Sequence, residues 1–450
     1  MQFQLTDDFI AHVEKLIADN NGEALKSYLE EFHFADIAEL LEELNIEEAT
    51  YIVKLLDSEV TSEVLIELDD TLRERILDKL TPSEIADELE EMDTDDAADI
   101  IAELDDHIQK QVIDHIEDTE HAADIVDLLR YDEDTAGGLM AKELVRVKET
   151  WTVAGCVREM RRQAENVTRV HSIYVTDKHG KLKGRLSLKD LLTAKEKAHI
   201  SEIYIPKVDY VNVHTPADEV ARIMQKYDLE AIPVVDEQGI LVGRVTIDDI
   251  VDYIKEEAEK DYQLAAGISQ DVEADDGLFK QTKARLPWLL IGMLGGLGAA
   301  TIISNFEVIL NTYPKLLIFV PLIQATAGNV GVQSSAIIVQ GLANDSIRGH
   351  LFARILRETA VALVNGISIA IIVLLISHFL FFTSYLESLS IGIAIITVII
   401  MAAVVGNLIP LFLHKRGIDP AVATGPFITT SNDVFGIFTY FLIAKMILGF

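Results

Sequence analysis

The chain has 450 residues, room for several domains, and a formal net charge of −36. Six of its 74 acidic and seven of its 38 basic residues follow Arg285, which leaves 68 acids against 31 bases before that point. So negative a region repels nucleic acid and anionic lipid and concentrates cations. The single cysteine, Cys156, excludes an intrachain disulfide framework and fits a reducing compartment. The first residues, Met1-Gln2-Phe3-Gln4, lack a basic stretch followed by an apolar one, so no cleaved secretion signal is expected.

Residues 1–130 read as short amphipathic helices. Apolar side chains recur at helical spacing, as in Ile37, Leu40, Leu41 and Leu44. Related units return at Asp36-Ile37-Ala38-Glu39-Leu40, Glu84-Ile85-Ala86-Asp87-Glu88-Leu89, Asp99-Ile100-Ile101-Ala102-Glu103-Leu104 and Asp124-Ile125-Val126-Asp127-Leu128-Leu129. Such recurrence predicts helical hairpins stacked into a superhelix, with Thr81-Pro82-Ser83-Glu84 as one helix start.

A second repeat follows, in which His171–Leu192 aligns without a gap on Glu230–Val251. Each copy gives a short apolar strand, an Asp-Gly turn, a second strand and a helix. Ile173-Tyr174-Val175-Thr176-Asp177 with Gly180 and Gly184 answers Ile232-Pro233-Val234-Val235-Asp236 with Gly239 and Gly243. Ser187 and Thr246 stand as helix caps, with Asp190 and Asp249 in the first turns. The stretch resembles a tandem pair of cystathionine-β-synthase (CBS) modules. That resemblance implies an α/β regulatory unit able to take metal or an adenine nucleotide such as ATP.

From Leu286 the chain changes solvent. Apolar runs at about 288–306, 316–342, 359–382, 389–413 and 422–449 are each long enough to cross ~30 Å of hydrocarbon. Five spans put the two ends on opposite sides. Lys280, Lys283 and Arg285 precede the first span, Arg348, Arg354 and Arg357 separate the second and third, and Lys415 and Arg416 separate the fourth and fifth. The alternate side has Lys315, with Lys445 near the end, so the acidic half is expected in the cytosol and Phe450 outside.

An ionised side chain deep in a span costs roughly 2.5–3.5 kcal/mol even on the lenient insertion scale. Asp433 sits near the middle of the fifth span, in Thr429-Thr430-Ser431-Asn432-Asp433, with no Lys or Arg at that depth to neutralise it. Water or a cation is the expected partner. A protonated or interhelically bonded Asp433 is the structural alternative. The second span, with Gln324, Thr326, Gly328, Asn329, Gly331 and Gln333, is too polar for lipid all round. Its glycines would allow close helix approach, and a break in it would turn carbonyls toward a passage. Asn407 and Pro410 make the same case in the fourth span, where a simple proline kink competes. Oxygen-only groups suit a hard ion that keeps its waters, such as Mg2+, while copper or zinc would call for Cys, Met or His beside Asp433. Spacing leaves Mg2+, Mn2+, Co2+ and Ca2+ unseparated.

The whole arrangement resembles the MgtE family of bacterial magnesium channels. The residues that carry it are Tyr131-Asp132-Glu133-Asp134-Thr135-Ala136-Gly137-Gly138-Leu139-Met140, the paired modules, Gly328-Asn329-Val330-Gly331-Val332-Gln333-Ser334 and the Asp433 region. The expected fold is a multidomain membrane protein: an all-α helical superhelix over 1–130, an α/β tandem CBS pair over 131–258, a linking helix over 259–285 and a five-helix transmembrane bundle over 286–450. The resemblance implies a homodimer in the bacterial inner membrane, among lipid, whose pore follows the two-fold axis. Asp433 of both chains would hold hydrated Mg2+, with Gly328, Asn329, Gln333 and Thr429 lining the passage. It also implies that cytosolic Mg2+ bound to the acidic domains shuts the pore.

Closure of that kind has a residue-level basis. Asp95 and Asp99 fall at i, i+4, and Asp249 and Asp252 at i, i+3, and like charges so placed repel. Cations bridging facing carboxylates would draw the surfaces together. The resemblance adds Glu63, Asp228, Glu257 and Asp261 to the sensing set and Asp419 at the cytosolic mouth. Two departures stand out: Gly425 precedes Pro426 where the family often has Asn, and Lys260 stands where an acid is common. The competing functions are a CBS-regulated transporter of another ion and a membrane sensor that transports nothing. An enzyme is not expected, since no nucleophile–base set, zinc signature or phosphate-binding loop is present.

Overall fold

The computed structural model describes residues 4–163, 169–269, 272, 276–343, 351–423 and 425–449, and falls into two units, Met1–Lys255 and Glu256–Phe450. Arg348 and Phe450, used above to orient the chain, lie outside the described residues.

The first unit opens with α1 (Asp7–Ala18), α2 (Gly22–Leu29), α3 (Phe34–Glu43), α4 (Ile46–Val53) and α5 (Ser58–Glu67). Then come α6 (Asp70–Leu77), α7 (Pro82–Leu89), α8 (Thr94–Glu103), α9 (Asp106–His115) and α10 (Thr119–Leu128). These helices are short because capping side chains restart the chain every ten to fifteen residues. Thr6, Asn21, Asn45 and Asp69 each accept from a first-turn amide, and Thr81 with Glu84 completes a reciprocal capping box. Alternate helices pack on one another, α3 on α5, α5 on α7, α7 on α9 and α8 on α10, giving the expected superhelix. Ion pairs some thirty residues apart tie successive turns together: Lys26 to Asp57, Lys54 to Glu84 at 2.7 Å, and Arg73 to Glu103.

The duplicated region folds twice in the same way. β1 (Val145–Lys148), α11 (Val153–Gln163), β2 (Ile173–Thr176), β3 (Leu182–Leu186) and α12 (Leu188–Thr193) form the first module. β4 (Val211–Asn212), α13 (Ala217–Tyr227), β5 (Ala231–Val235), β6 (Leu241–Thr246) and α14 (Ile247–Ala266) form the second. Each sheet has a parallel pair followed by an antiparallel one, in the orders β1-β2-β3 and β4-β5-β6. The register slips at Val175/Thr176 and at Val234/Val235, equivalent places in the gapless alignment. Each module is also crossed by a neighbouring segment: Ile205 bridges Arg185, and Ala141 bridges Arg244.

In the second unit α15 (Leu278–Asn305), α16 (Glu307–Thr312), α17 (Val320–Ala343), α18 (Leu351–Phe379), α19 (Tyr385–His414) and α20 (Pro426–Leu448) follow. Among the described residues five helical segments are long and apolar enough to cross a membrane, as expected. α19 is the buried centre: α17, α18 and α20 pack on it, and α15 and α17 pack on α20. Tyr440 Oη, buried, donates to the Leu316 carbonyl at 2.8 Å and fastens α20 to the turn before α17.

Two expectations need correction. The segment 259–285 is not one linking helix. α14 runs unbroken across residue 258 to Ala266, the chain turns at Gly267 with φ +83°, and α15 has begun by Leu278. No capping or breaking residue stands at 258, whereas Gly267 supplies the left-handed backbone that ends a helix. Nor is the second span broken: α17 is continuous, because Pro321 lies in its first turn, where a missing N–H leaves no hydrogen bond unmade.

The crossing at Ile205 leaves no room for a side chain on β3, since a methyl at Gly184 would fall 2.1 Å from the Ile205 carbonyl oxygen. Gly184→Ala is therefore expected to destabilise the first module by about 1–3 kcal/mol, read as a lower thermal midpoint. An unchanged midpoint would mean that the crossing segment is loosely held.

Candidate functional site

Two places gather groups that water or bonded partners normally satisfy. The first lies where α8 meets the second CBS module. Asp93, Asp95 and Glu143 each offer a carboxylate oxygen, all within 4.8 Å of one another. Ligand oxygens opposite each other on an octahedral Mg2+ stand about 4.2 Å apart. The chain brings these acids together through Thr94, the first residue of α8. Its amide and hydroxyl donate to Glu143 at 3.2 and 2.9 Å, and the Lys142 amide donates to the Thr94 hydroxyl at 2.9 Å. Asp95 is buried, and its Oδ1 has no hydrogen-bond partner among the described residues. An orphaned buried carboxylate oxygen facing two further carboxylates is the feature that fits a bound cation.

Asp249 joins from the first turn of α14, held by the Thr246 hydroxyl and by the Thr246 amide at 2.9 Å. Burial pushes the carboxyls of Asp95, Asp249 and Glu143 up, and that of Asp96 up to about 8, with neighbouring acids adding to each. Glu63 is raised by burial and by Asp93. A cleft of about 1270 Å³ adjoins the group through Asp93 and Glu143, and its lining is mixed in charge, with Lys142, Arg146, Lys148 and Arg162 among its acids.

The second place lies in the membrane unit. Asp433, half-buried on α20, faces Gly328 of α17: a methyl there would stand 3.6 Å from Asp433 Oδ1 and 3.1 Å from Thr429. Among the described residues Asp433 has no hydrogen-bond or ion-pair partner. Beside it Asn432 is fully buried with neither amide atom bonded to a described residue, and a methyl at Gly331 would fall 1.9 Å from its Nδ2. The absent side chains on α17 thus let the polar face of α20 come close.

Family models match three parts of the chain: the divalent cation transporter domain over 320–443, the MgtE intracellular N domain over 32–134, and CBS domains over 136–197 and 200–256. The magnesium transporter MgtE of Thermus thermophilus is 36% identical over 329 residues, 72% of this chain and 73% of the relative. This chain belongs to the MgtE family. The Enterococcus faecalis magnesium transporter MgtE is 36% identical over 74% of this chain and 73% of its own length. Among solved structures, the cytosolic domain of the Mg2+ channel MgtE in complex with ATP is similar at a TM-score of 0.52 and 38% identity, covering 54% of this chain and 99% of that one. The soluble part of a magnesium transporter matches at 0.51 and 26% identity, over 56% of this chain and 99% of its own.

Against this MgtE-family framework the residues expected from sequence divide. Glu63, Asp95, Asp99 and Asp249 fall in or beside the acidic group, Asp95 buried and Asp99 exposed, with Asp99 near enough to raise the carboxyl of Asp96. Asp252 and Asp228 are exposed, Asp228 in a left-handed conformation that ends α13. Glu257 is engaged by Lys260 at 2.7 Å, so the departure at 260 sets an ammonium on an expected ligand. Asp261 lies further along α14, and exposed Asp419 accepts from the Ala421 amide at 2.8 Å. Gly328, Thr429 and Asp433 come together, whereas Asn329 and Gln333 lie on the exposed side of α17. The departure at Gly425 has a steric reason: a methyl there would fall 2.3 Å from the carbonyl oxygen of Ala265, near the end of α14.

Sequence reasoning missed Asp93, Asp96 and Glu143. The run Asp93-Thr94-Asp95-Asp96 was the available signal, but helical spacing favoured Asp95 with Asp99 and gave no reason to join residue 143 to residue 94.

Carboxyls that bind protons more tightly when packed than when separated stabilise the packed state below the ordinary value of 3.8, and lose that stabilisation as pH rises through about 8. In metal-free buffer, protection of residues 93–99 from hydrogen exchange, corrected for the intrinsic rate, should fall progressively from about pH 4 to about pH 8 and level off above it. Constant protection would show that these acids are not forced together.

Proposed function

We propose that this MgtE-family chain conducts Mg2+ across the membrane past Asp433 and that its acidic cytosolic surfaces close the passage when Mg2+ is abundant. The observation that carries the transport reading is the Asp433 carboxylate, inside a membrane helix bundle with no partner among the described residues and with the α17 backbone at Gly328 drawn up to it. An ionised carboxylate in that position needs a counter-charge or water. The side chains that precede it on α20, Thr429, Thr430, Ser431 and Asn432, carry oxygen and amide groups and no sulfur or imidazole, which suits a hard cation that keeps part of its hydration shell.

Asn329 and Gln333 support a passage shared between two chains. They form a polar pair at i, i+4 on the exposed side of a membrane helix, where hydrocarbon is a poor neighbour. A second copy across a two-fold axis would turn that face inward. The basic residues Lys283, Arg285, Arg354, Arg357, Lys415 and Arg416 favour a cytosolic N-terminal half and an external C-terminus, in a bacterial inner membrane.

The sensing reading rests on the orphaned Asp95 Oδ1. Asp93, Asp95 and Glu143 would hold the ion, with Asp96 and Asp249 close by. Bound there, a divalent cation supplies two positive charges to a site that is otherwise short of them. Without neutralisation, Asp93, Asp95 and Asp96 on the α8 side repel Asp249 and Glu143 on the CBS side. α14 starts at Asp249's own turn and ends packed against Gly425, at the start of the helix that carries Asp433, so it links sensor and passage in one element.

An adenine nucleotide at the CBS pair is supported by the ATP-bound solved structure to which this chain is similar. Of the two equivalent turns, Ser187–Asp190 has the less buried cap, while Thr246–Asp249 lies beside the acids of α8, which repel phosphate.

Asp433→Ala in proteoliposomes should abolish Mg2+ uptake while the protein stays folded and keeps its assembly state; undiminished uptake would refute the passage. Separately, millimolar Mg2+ should protect residues 85–105 and 245–269 of the wild type from protease and hydrogen exchange. Identical patterns with and without Mg2+ would remove the sensor.

A further inference from the structure

We propose that the cytosolic ends of α18 and α19 form a binding site for the phosphate headgroup of an anionic phospholipid, held by Arg354, Arg357, Lys415 and Arg416. The inference goes beyond the passage and the sensor, and rests only on the orientation argued above, which puts these two helix ends at the cytosolic face of the membrane.

The two helices form a hairpin. α18 ends at Phe379 and α19 begins at Tyr385, so the start of one lies beside the end of the other. Close approaches fix their register: a methyl at Gly366 would stand 3.2 Å from the Ile396 Cα, and one at Gly392 3.8 Å from the Ala370 carbonyl oxygen. Extended toward the cytosol, that antiparallel register sets Arg354 level with Leu408, one turn from Phe412. Side chains on a helix lean toward its N-terminus, which for α18 is the cytosolic end, so Arg354 leans toward the level of Phe412. Arg416 comes back to that level from the other side, with its guanidinium 4.9 Å from the centre of the Phe412 ring. A guanidinium stacked on a ring keeps its edge N–H groups for oxygen acceptors such as phosphate.

The acids closest in sequence to these cations are engaged elsewhere. Glu358, one turn along from Arg354, accepts from the Ser334 hydroxyl of α17 at 3.0 Å, and Asp419, three residues past Arg416, accepts from the Ala421 amide. Among the described residues none of the four cations has an ion-pair partner, in a chain with 74 acids and 38 bases. In the first unit, by contrast, Lys54, Arg73 and Lys142 are each paired with a carboxylate. The charge left over at the hairpin's end calls for an anion from outside the described chain.

Apolar surface adjoins the cations. Leu408 is 41% exposed, Phe412 56% and Leu356 60%. Bases at the cytosolic rim of an apolar membrane face match a molecule with an anionic head and acyl tails, whereas a free phosphate would leave the apolar part unused. The hairpin's other end supplies a control. Phe379, Leu380, Phe382 and Tyr385 are exposed there, residues 371–393 contain no lysine or arginine, and Lys315, the base that reaches this end, donates to the Phe382 carbonyl. Exposed apolar side chains thus occur at both ends, and the uncompensated cations at one.

The test is native mass spectrometry and thermal unfolding of the full-length chain in nonionic detergent, with chelator present so that no divalent ion bridges an acid to a lipid. From an equimolar mixture the wild type should retain phosphatidylglycerol about tenfold over phosphatidylcholine, and phosphatidylglycerol should raise the thermal midpoint where phosphatidylcholine and inorganic phosphate do not. Arg354→Gln combined with Arg416→Gln should lose that preference at an unchanged lipid-free midpoint, and the corresponding lysine pair should keep most of it. Lys415→Gln, at the exposed end of α19, should lower the preference severalfold and serves where the double variant does not fold. Equal retention of the two lipids by the wild type overturns the site, and so does a preference that survives these glutamine variants undiminished. An equal rise with inorganic phosphate would mark a free-anion site and overturns the headgroup. A change of assembly state in the glutamine variants would show that a second copy covers these cations, which overturns it as well.

Discussion

Packing carboxylates against carboxylates is the constraint on which the first unit turns. Two unit charges about 5 Å apart, at an effective dielectric near 20, repel by roughly 3 kcal/mol. Several such pairs at one seam rival the whole net stability of a domain, about 5–15 kcal/mol. Asp93, Asp95, Asp96, Glu143 and Asp249 can share their seam only where protons or a metal ion offset the repulsion. Burial first, and neighbouring acids after it, raise the carboxyls of Asp95, Asp96 and Asp249, so ionising the packed group is costly. A contact made this way is conditional, which is the property a sensor needs.

The helical domain and the CBS pair build that condition from ordinary parts. Capped short helices and ion pairs at a thirty-residue period make α1 to α10 a regular stack, and the start of α8 is where its acids accumulate. Thr94 then does for the interface what Thr81 does for α7: a hydroxyl and an amide satisfy a carboxylate, here Glu143 of another segment. The acids are pressed together because the polar groups around them are well paired, while Asp95 Oδ1 is left over.

In the membrane unit the constraint is the reverse. Lipid offers helices little reason to associate, so close approach and a few polar contacts hold them. Missing side chains at Gly328 and Gly331 let α17 press on α20 at Thr429, Asn432 and Asp433. The same device at Gly425 seats the end of α14 against the start of α20, so the departure from the family's common Asn there removes a side chain that would collide with the Ala265 carbonyl. Lys260, the other departure, neutralises Glu257 within α14 itself.

Sequence by itself determined the local and periodic features of this protein. Charge segregation, the gapless repeat, the five apolar runs and the lone Asp433 are properties of spacing and composition, because helical period, strand alternation and hydrocarbon thickness act along the chain. The unbroken course of α17 was less legible, since a Pro and several Gly residues read as a break until Pro321 is seen in the first turn. Only the tertiary structure decided which acids meet. Asp95 is buried and Asp99 exposed although both share a helix, and Glu143 joins Asp93 across fifty residues. Those outcomes depend on the angle at which one folded element packs on another, and the distances between charges on separate elements are not written in either element's own pattern.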